Sequence, residues 1–506
     1  MKSDFDFTNL FVLDMANNHQ GKLEHGLRII REMGATVRAN GVRAALKFQF
    51  RQLDSFIHPS HQPTTDNKQI VRFLSTRLSR RDFATMTEEV RRQGLTTIAT
   101  PFDEGSVDML EDLGIEVLKI ASCSANDWPL LERVAESNKP VIFSTGGLTL
   151  KEIDDVVSFF SHRRVHFAIM HCVSIYPTPF QDLQLNQIAT LRRRYPERTI
   201  GFSTHEDPKD IAPVFVAVAK GASMLERHVG VEADGITLNA YSSTPALLDA
   251  WIKAAVKARV MCGATERPPA PAEEMSGLDA LRRGVYACHV LEKGRALDRG
   301  DVYLAMPWQE GQLHAGQWQA GMLLLEQVEK DAPFLARVVE SAKSQEREAL
   351  YTVIHTIKAM LNEAGIALPT DFQVEFSHHY GIERFSEVGA TIITCVNRSY
   401  CKKLIVQMPG QRHPPHYHKR KEETFQVLHG ILEMTVEGRR RTLYPGDTQL
   451  VQQGVWHEFW TETGACVEEI STTHFNDDSF YEDKAINKVE RSARKTFVSQ
   501  WGRNQL

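Results

Sequence analysis

Eight short apolar runs occupy the first 230 residues, and each ends in a polar or charged cluster. They are FVLDM (11–15), ALKFQF (45–50), TTIAT (96–100), EVLKI (116–120), PVIFS (140–144), HFAIMH (166–171), RTIGFS (198–203) and ASMLER (222–227). Runs of this length and composition predict buried strands. Between them, LEHGLRIIREMGATV (23–37), FATMTEEVRRQG (83–94) and LQLNQIATLRRRY (183–195) carry apolar residues at helical spacing. Strand and helix alternating in this way build βαβ units with parallel strands. Eight units predict an α/β fold closed as a (β/α)8 barrel. A doubly wound open sheet is the main alternative, but it gathers its polar residues at one switch point, whereas here every run ends in them.

The pattern changes twice downstream. After the helical stretch ALLDAWIKAAVKARVMCG (246–263), the proline-rich ATERPPAPAEEM (264–275) reads as a linker. Residues 282–307 show short apolar runs separated by Lys-Gly and Arg-Gly turns, which predicts a small β-rich module. In 345–361, Leu350, Ile354, Ile357 and Leu361 fall on one helical stripe. From about residue 370 short runs alternate with turn signals such as VEGRR and YPGD, as in an antiparallel double-sheet barrel. The basic tail from about 484 is expected to be a solvated terminal helix. The predicted domains are thus 1–263, 276–342 and 346–506.

Composition narrows the partners. The 506 residues are 42% apolar and 24% charged with a formal net charge of -5, and basic residues are interspersed with acids, which argues against nucleic acid and anionic membranes as partners. Seven cysteines without Cys-x-x-Cys spacing suggest a reducing compartment. The acidic N-terminus and the lack of any long apolar run make a cytoplasmic location the expectation.

In a β/α barrel the reactive groups come from the C-terminal ends of the strands. Here those ends offer Asp14, Lys47, Gln49, Thr100, Lys119, Ser122, Ser144, Ser174, Tyr176, His205, Glu226 and His228. Lysines and hydroxyls with a Gly-Gly turn form a receptor for a small dianion such as a phosphate ester. His205 and His228, with Glu226 beside them, are candidate ligands for a divalent cation.

The segments NNHQG (17–21), LKFQ (46–49), TPFD (100–103), LKIASC (118–123), STGG (144–147), HCVSIYPTP (171–179), GFSTH (201–205) and ERH (226–228) resemble the sialic acid synthase family, the phosphoenolpyruvate-dependent sugar synthases. RRGVYACHVLEKG, within 282–342, resembles that family's antifreeze-like (SAF) domain. The resemblance implies that Lys47, Thr100, Lys119, Ser122, Ser144, Ser174, Tyr176 and Ser203 line a phosphoenolpyruvate pocket. It implies that His205 and His228 hold Mn2+ or Mg2+, and that Asp14 stands where the family usually has glutamate. The family reaction joins C3 of phosphoenolpyruvate to the aldehyde carbon of an open-chain aldose; water adds at C2 and phosphate leaves. Such a transferase makes a nonulosonic or related 2-keto-3-deoxy sugar acid for surface polysaccharide, with Glu226 or Asp14 moving protons. A homodimer is implied, each small domain capping its partner's barrel. Two departures concern the acceptor. Met306 replaces an arginine that reaches an acetamido sugar, and Gly235, Ile236 and Thr237 replace a Gly-Pro-Asp, leaving Asn239, Tyr241, Ser242 and Ser243 as polar groups nearby. An acceptor other than N-acetylmannosamine is expected.

The C-terminal region carries a second constellation. In GQRHPPHYHKRKEETFQVLHG (410–430), His416 and His418 share one face of a strand, Glu423 follows, and His457 comes from GDTQLVQQGVWHEF (446–459). The spacing resembles cupins, including sugar isomerases, and implies a four-ligand site for Zn2+, Mn2+, Fe2+ or Ni2+. Glu422 is the alternative carboxylate. A cupin-borne isomerase or epimerase, with the barrel reduced to binding, is the competing functional reading; a metal-stabilised sugar-binding module is another.

Overall fold

The computed structural model describes residues 5–62, 65–233, 235–265, 267–340, 345–498 and 501. The chain divides into two compact units, residues 1–268 and 269–506. The division falls inside the proline-rich stretch 264–275, of which Ala272–Asp279 begins a short helix.

The first unit is a closed barrel of eight parallel strands in chain order. They are β1 (Phe11–Asp14), β2 (Ala44–Phe50), β3 (Thr96–Pro101), β4 (Val117–Ile120), β5 (Val141–Ser144), β6 (Phe167–Cys172), β7 (Ile200–Thr204) and β8 (Met224–His228). All eight predicted runs are strands, displaced by at most two residues. The helices α1 (Leu23–Asn40), α2 (Lys68–Ser75) and α3 (Arg80–Arg92) follow β1 and β2. The pattern predicts α1 and α3, but not α2, whose eight residues bury none of their side chains fully.

Alternation along each strand sorts the barrel into layers. Val12, Ala45, Ile98, Val117, Ile142, Ala168 and Met224 form an apolar cluster inside the barrel. A separate apolar cluster, with Phe11, Leu46, Phe48 and Leu118 of the strands and Leu27, Ile30, Met33 and Trp251 of the helices, joins the barrel wall to its outer layer. Two residues beyond the interior cluster, on the same face, stand Asp14, Lys47, Thr100, Lys119, Ser144 and Glu226. The period of two thus places a polar layer on an apolar floor. At β7 the interior position is Gly201, where a Cβ would come 2.2 Å from Met170 Sδ and 2.7 Å from the Met224 carbonyl oxygen. The floor closes over β7 only because that residue has no side chain.

The second unit contains two kinds of β structure. Gly284–Ala287 pairs antiparallel with Val302–Ala305, and Leu323–Leu324 with Val339–Glu340. Val285, Leu297, Val302, Leu324 and Phe334 belong to their common apolar cluster. Helix Gln345–Glu363 then leads into two antiparallel sheets, of seven and five strands among the described residues. Leu350, Ile354, Ile357 and Leu361 are buried on one stripe, against Phe376, Phe385 and Val406.

The tail departs from the predicted solvated helix. Lys484–Lys488 is one short helix, and Lys495–Val498 is a strand that pairs antiparallel with Gln373–Ser377 at the edge of the larger sheet. Residues 499, 500 and 502–506 of that prediction lie outside the described residues. Thr496, Phe497 and Val498 favour strand, and an available sheet edge outweighs the weak helical pattern.

Candidate active site and metal centre

The polar layer forms the base of a cavity of about 550 Å3 at the C-terminal mouth of the barrel. At its centre Glu226 of β8 takes Lys119 Nζ of β4 at 2.8 Å, Lys47 Nζ of β2 at 2.9 Å and the Ser203 hydroxyl of β7 at 2.9 Å. Lys47 also meets Asp14 Oδ2 at 3.0 Å, and Gln49 Nε2 donates to the same oxygen at 3.4 Å. All four charged groups are buried.

The two lysines respond differently to this setting. Burial would lower the Lys47 ammonium, but Asp14 and Glu226 together reverse that and raise it. Burial also lowers Lys119, and there it prevails over the opposing Glu226, with Lys47 adding repulsion. Burial would raise the Glu226 carboxyl, yet Lys119 and Lys47 hold it far below the ordinary carboxylate range. Asp14 is lowered too: Lys47 and His228 overcome its burial. The layer therefore sets two amines against two carboxylates, whose formal charges sum to zero.

His228 lies beside Asp14, and His205 lies next to His228. His228 Nε2 is 3.5 Å from Asp14 Oδ2, and the His205 and His228 ring centroids are 5.3 Å apart. Within the predicted grouping of His205, Glu226 and His228, the Glu226 carboxylate makes its hydrogen bonds to Lys47, Lys119 and Ser203. Both strands point these groups inward, but two buried ammoniums attract a carboxylate more strongly than neutral imidazoles do. Burial keeps both imidazoles neutral, with His205 pushed down to about 3 and His228 lowered as well. His205 Nδ1 lies 3.0 Å from the Val173 carbonyl oxygen, so that nitrogen carries the proton and Nε2 keeps its lone pair. His228 Nδ1 is buried without a hydrogen-bond partner. Two neutral imidazoles, one of them beside the Asp14 carboxylate, offer donor types that suit a divalent cation.

The hydroxyls gather on another arc. Ser122, Ser144, Ser174, Thr100 and Tyr176 line the cavity. The Gly146 N–H donates to Ser122 Oγ at 3.0 Å, and a Cβ at Gly146 would lie 2.5 Å from Ser174 Oγ and 2.7 Å from Ser122 Oγ. The absent side chain leaves a small cradle rimmed by hydroxyls. Asn239 is not among the lining residues; its amide donates to Asn18 Oδ1 at 3.4 Å. Tyr241, three ring contacts from His205, His228 and Tyr176, lines the cavity in its place.

Two arginines join the site that the sequence reading passed over, Arg51 and Arg72. Arg51 extends the Lys47, Gln49 alternation by one step, which was a usable signal. Arg72 lies on α2 with Gln69 and Phe73, at a spacing that puts all three on one face.

In the second unit His416, His418 and His457 are buried, with one ring nitrogen of each within 4.8 Å of the others. Their Nδ1 atoms face the carbonyl oxygens of Pro414, Asp478 and Val455. A carbonyl only accepts, so each Nδ1 carries the proton and each Nε2 turns its lone pair to the common point. Glu423 Oε2 lies 3.2 Å from His457 Nε2 and 3.5 Å from His418 Nε2. Glu423 Oε2 and His457 Nε2 are otherwise buried without partners. The other Glu423 oxygen pairs with Lys421, which also meets Glu469 at 3.1 Å. Glu422, the alternative carboxylate, is exposed.

Residues 36–267 match the NeuB family, and residues 403–468 match the cupin domain. A protein from Methanocaldococcus jannaschii, described as uncharacterized protein MJ1065, is 31% identical over 296 residues, which cover 57% of this chain and 82% of that protein. The chain belongs to the NeuB family. Among NeuB-like relatives, the N-acetylneuraminate-9-phosphate synthase of Drosophila melanogaster is 30% identical over 225 residues, 43% of this chain and 59% of that enzyme. A crystal structure from Chromobacterium violaceum, provisionally described as spore coat polysaccharide biosynthesis protein E, superposes with a TM-score of 0.64 at 43% identity, covering 66% of this chain and all of that one. No described helix is long and apolar enough to cross a membrane.

Proposed function

We propose that the barrel condenses phosphoenolpyruvate with an open-chain aldose to give a nonulosonic or related 2-keto-3-deoxy sugar acid and inorganic phosphate. The observation that carries this reading is the charged layer of Lys47, Lys119, Asp14 and Glu226 under the hydroxyl cradle, in a NeuB-family barrel. Ser122, Ser144 and Ser174 offer donors to a phosphate group, with the Gly146 amide orienting the Ser122 hydroxyl, and Lys47 and Lys119 offer charge to the adjoining carboxylate. Fixed donors of this kind stabilise charge that develops as C2 becomes cationic and the phosphate departs. Asp14, His205 and His228 would hold Mn2+ or Mg2+, which when bound supplies Lewis acidity at the aldehyde oxygen. Glu226, ionised and tied to both lysines, orients them; Asp14, on the sugar side, accepts the proton from the attacking water.

The test is consumption of phosphoenolpyruvate and release of phosphate across a panel of aldoses, with and without Mn2+. Aldose-dependent consumption of phosphoenolpyruvate with release of phosphate is expected, and its absence across the panel sinks the reading. A second reading, a Schiff-base aldolase, draws on the lowered Lys119 amine. Borohydride trapping of a lysine adduct with pyruvate, insensitive to chelator, would select it.

For the second unit, we propose a divalent metal held by His416, His418, His457 and Glu423, supported by the three oriented Nε2 atoms. Metal analysis of the purified full chain tests it, with about one ion lost in His416→Ala.

A further inference from the structure

We propose that the acceptor aldose carries an anionic group, a phosphate monoester or a carboxylate, at the end remote from its aldehyde, and that Arg51 and Arg72 bind it. This rests on the synthase reading above. Among the described residues, neither guanidinium has a carboxylate partner. Arg51 makes one long contact, to Gln49 Oε1 at 3.5 Å, and its Nε is buried without a partner. Its guanidinium carbon lies 3.5 Å from the Phe102 ring centroid and 4.0 Å from that of Phe73. Stacking between two rings fixes the fork in place and leaves its in-plane N–H groups for a ligand. Arg72 approaches from α2, close enough to repel charge on both Arg51 and His228.

Charge balance separates these arginines from phosphoenolpyruvate. Lys47, Lys119, Asp14 and Glu226 sum to zero. Phosphoenolpyruvate brings about three negative charges at neutral pH, and a divalent cation offsets two of them. One arginine balances the remainder and leaves the other in excess, half-buried at the cavity and without a carboxylate partner among the described residues, where a second anion would meet it. The space agrees: a second chamber of about 530 Å3 shares Asn17, Gln49, Arg51 and Phe73 with the first, so Arg51 stands at the junction of the two. Phosphoenolpyruvate and a sugar do not need both chambers, and a substituent extending past Arg51 enters the second.

The experiment has a binding arm and a kinetic arm, both on the full chain. Inorganic phosphate is titrated calorimetrically into protein saturated with phosphoenolpyruvate and Mn2+. One binding event is expected, weakened at least tenfold in Arg72→Ala and in Arg51→Lys, the latter keeping charge and bulk in case truncation at the stacked site disturbs folding. In kinetics, an aldose is compared with its 6-phosphate and its uronic acid. A kcat/KM at least tenfold higher for one charged form is expected, which identifies phosphate or carboxylate, and the preference collapses in Arg72→Ala. Equal use of neutral and charged aldoses overturns the proposal while leaving the synthase reading intact. So does a loss of phosphoenolpyruvate affinity in Arg72→Ala in place of the phosphate event. Phosphate binding at the arginines without aldose-dependent consumption of phosphoenolpyruvate overturns the synthase reading instead.

Discussion

Lys119 and Glu226 come from opposite walls of the barrel, β4 and β8, and their charged groups meet at 2.8 Å across its axis. Both are buried, so the pair spans a water-poor interior. Removing one partner from such a pair leaves an uncompensated charge, and here Glu226 serves two lysines. Glu226→Gln is expected to destabilise the first unit by about 3–5 kcal/mol, read by denaturant unfolding, and to abolish phosphoenolpyruvate turnover. A variant as stable as the parent would mean that the ammoniums find water.

The floor of the barrel is tested by Gly201→Ala. The new methyl group collides with Met170 Sδ, which can move, and with the Met224 carbonyl, which is held in the sheet. A loss of about 1–3 kcal/mol is expected from overpacking, measured by urea unfolding, with secondary structure retained by circular dichroism.

His19 sets a pH dependence. It is buried, its Nδ1 accepts the Gly21 N–H at 3.1 Å, and burial, with His25 and Arg72 adding repulsion, pushes its pKa down to about 4. The unfolded imidazole binds a proton near pH 6.5 and the folded one does not, so stability falls as pH drops from about 6.5 toward 4, at about 1.4 kcal/mol per unit. His19→Gln is expected to flatten the pH profile of unfolding in that window. An unchanged slope would show the imidazole to be open to water in solution.

Chelation is expected to lower the melting temperature of the second unit, since a ligand at a hundred times its Kd contributes about 2.7 kcal/mol. His457→Ala is expected to be insensitive to chelator, which differential scanning calorimetry on parent and variant compares directly.

The strands were legible because each alternates cleanly between an outward apolar residue and an inward one, and because the inward series switches from apolar to polar at a fixed point. The switch at Val12 to Asp14, Ala45 to Lys47 and Val117 to Lys119 locates the site without any motif. What periodicity does not carry is which polar group answers which. Glu226 and His228 share a face, yet only the position of Lys119 across the barrel decides that the carboxylate turns from the imidazoles. Helix α2 was illegible for a different reason: it buries no side chain fully, so no apolar stripe marks it, and Arg72 travels with it. In the second unit the His-x-His spacing fixes both imidazoles on one face, whereas the backbone carbonyls that set their tautomers leave no trace in residue types.

The strand Lys495–Val498 is laid against Gln373–Ser377, near the opposite end of the same sheet's sequence. During synthesis the earlier strand emerges more than a hundred residues ahead of its partner, and throughout that interval its edge is unpaired. A naked edge recruits strands from other chains. Production of this protein is therefore most exposed to aggregation in chains stalled or clipped between residues 480 and 494, and a fusion placed directly after Val498 would burden the last segment to dock.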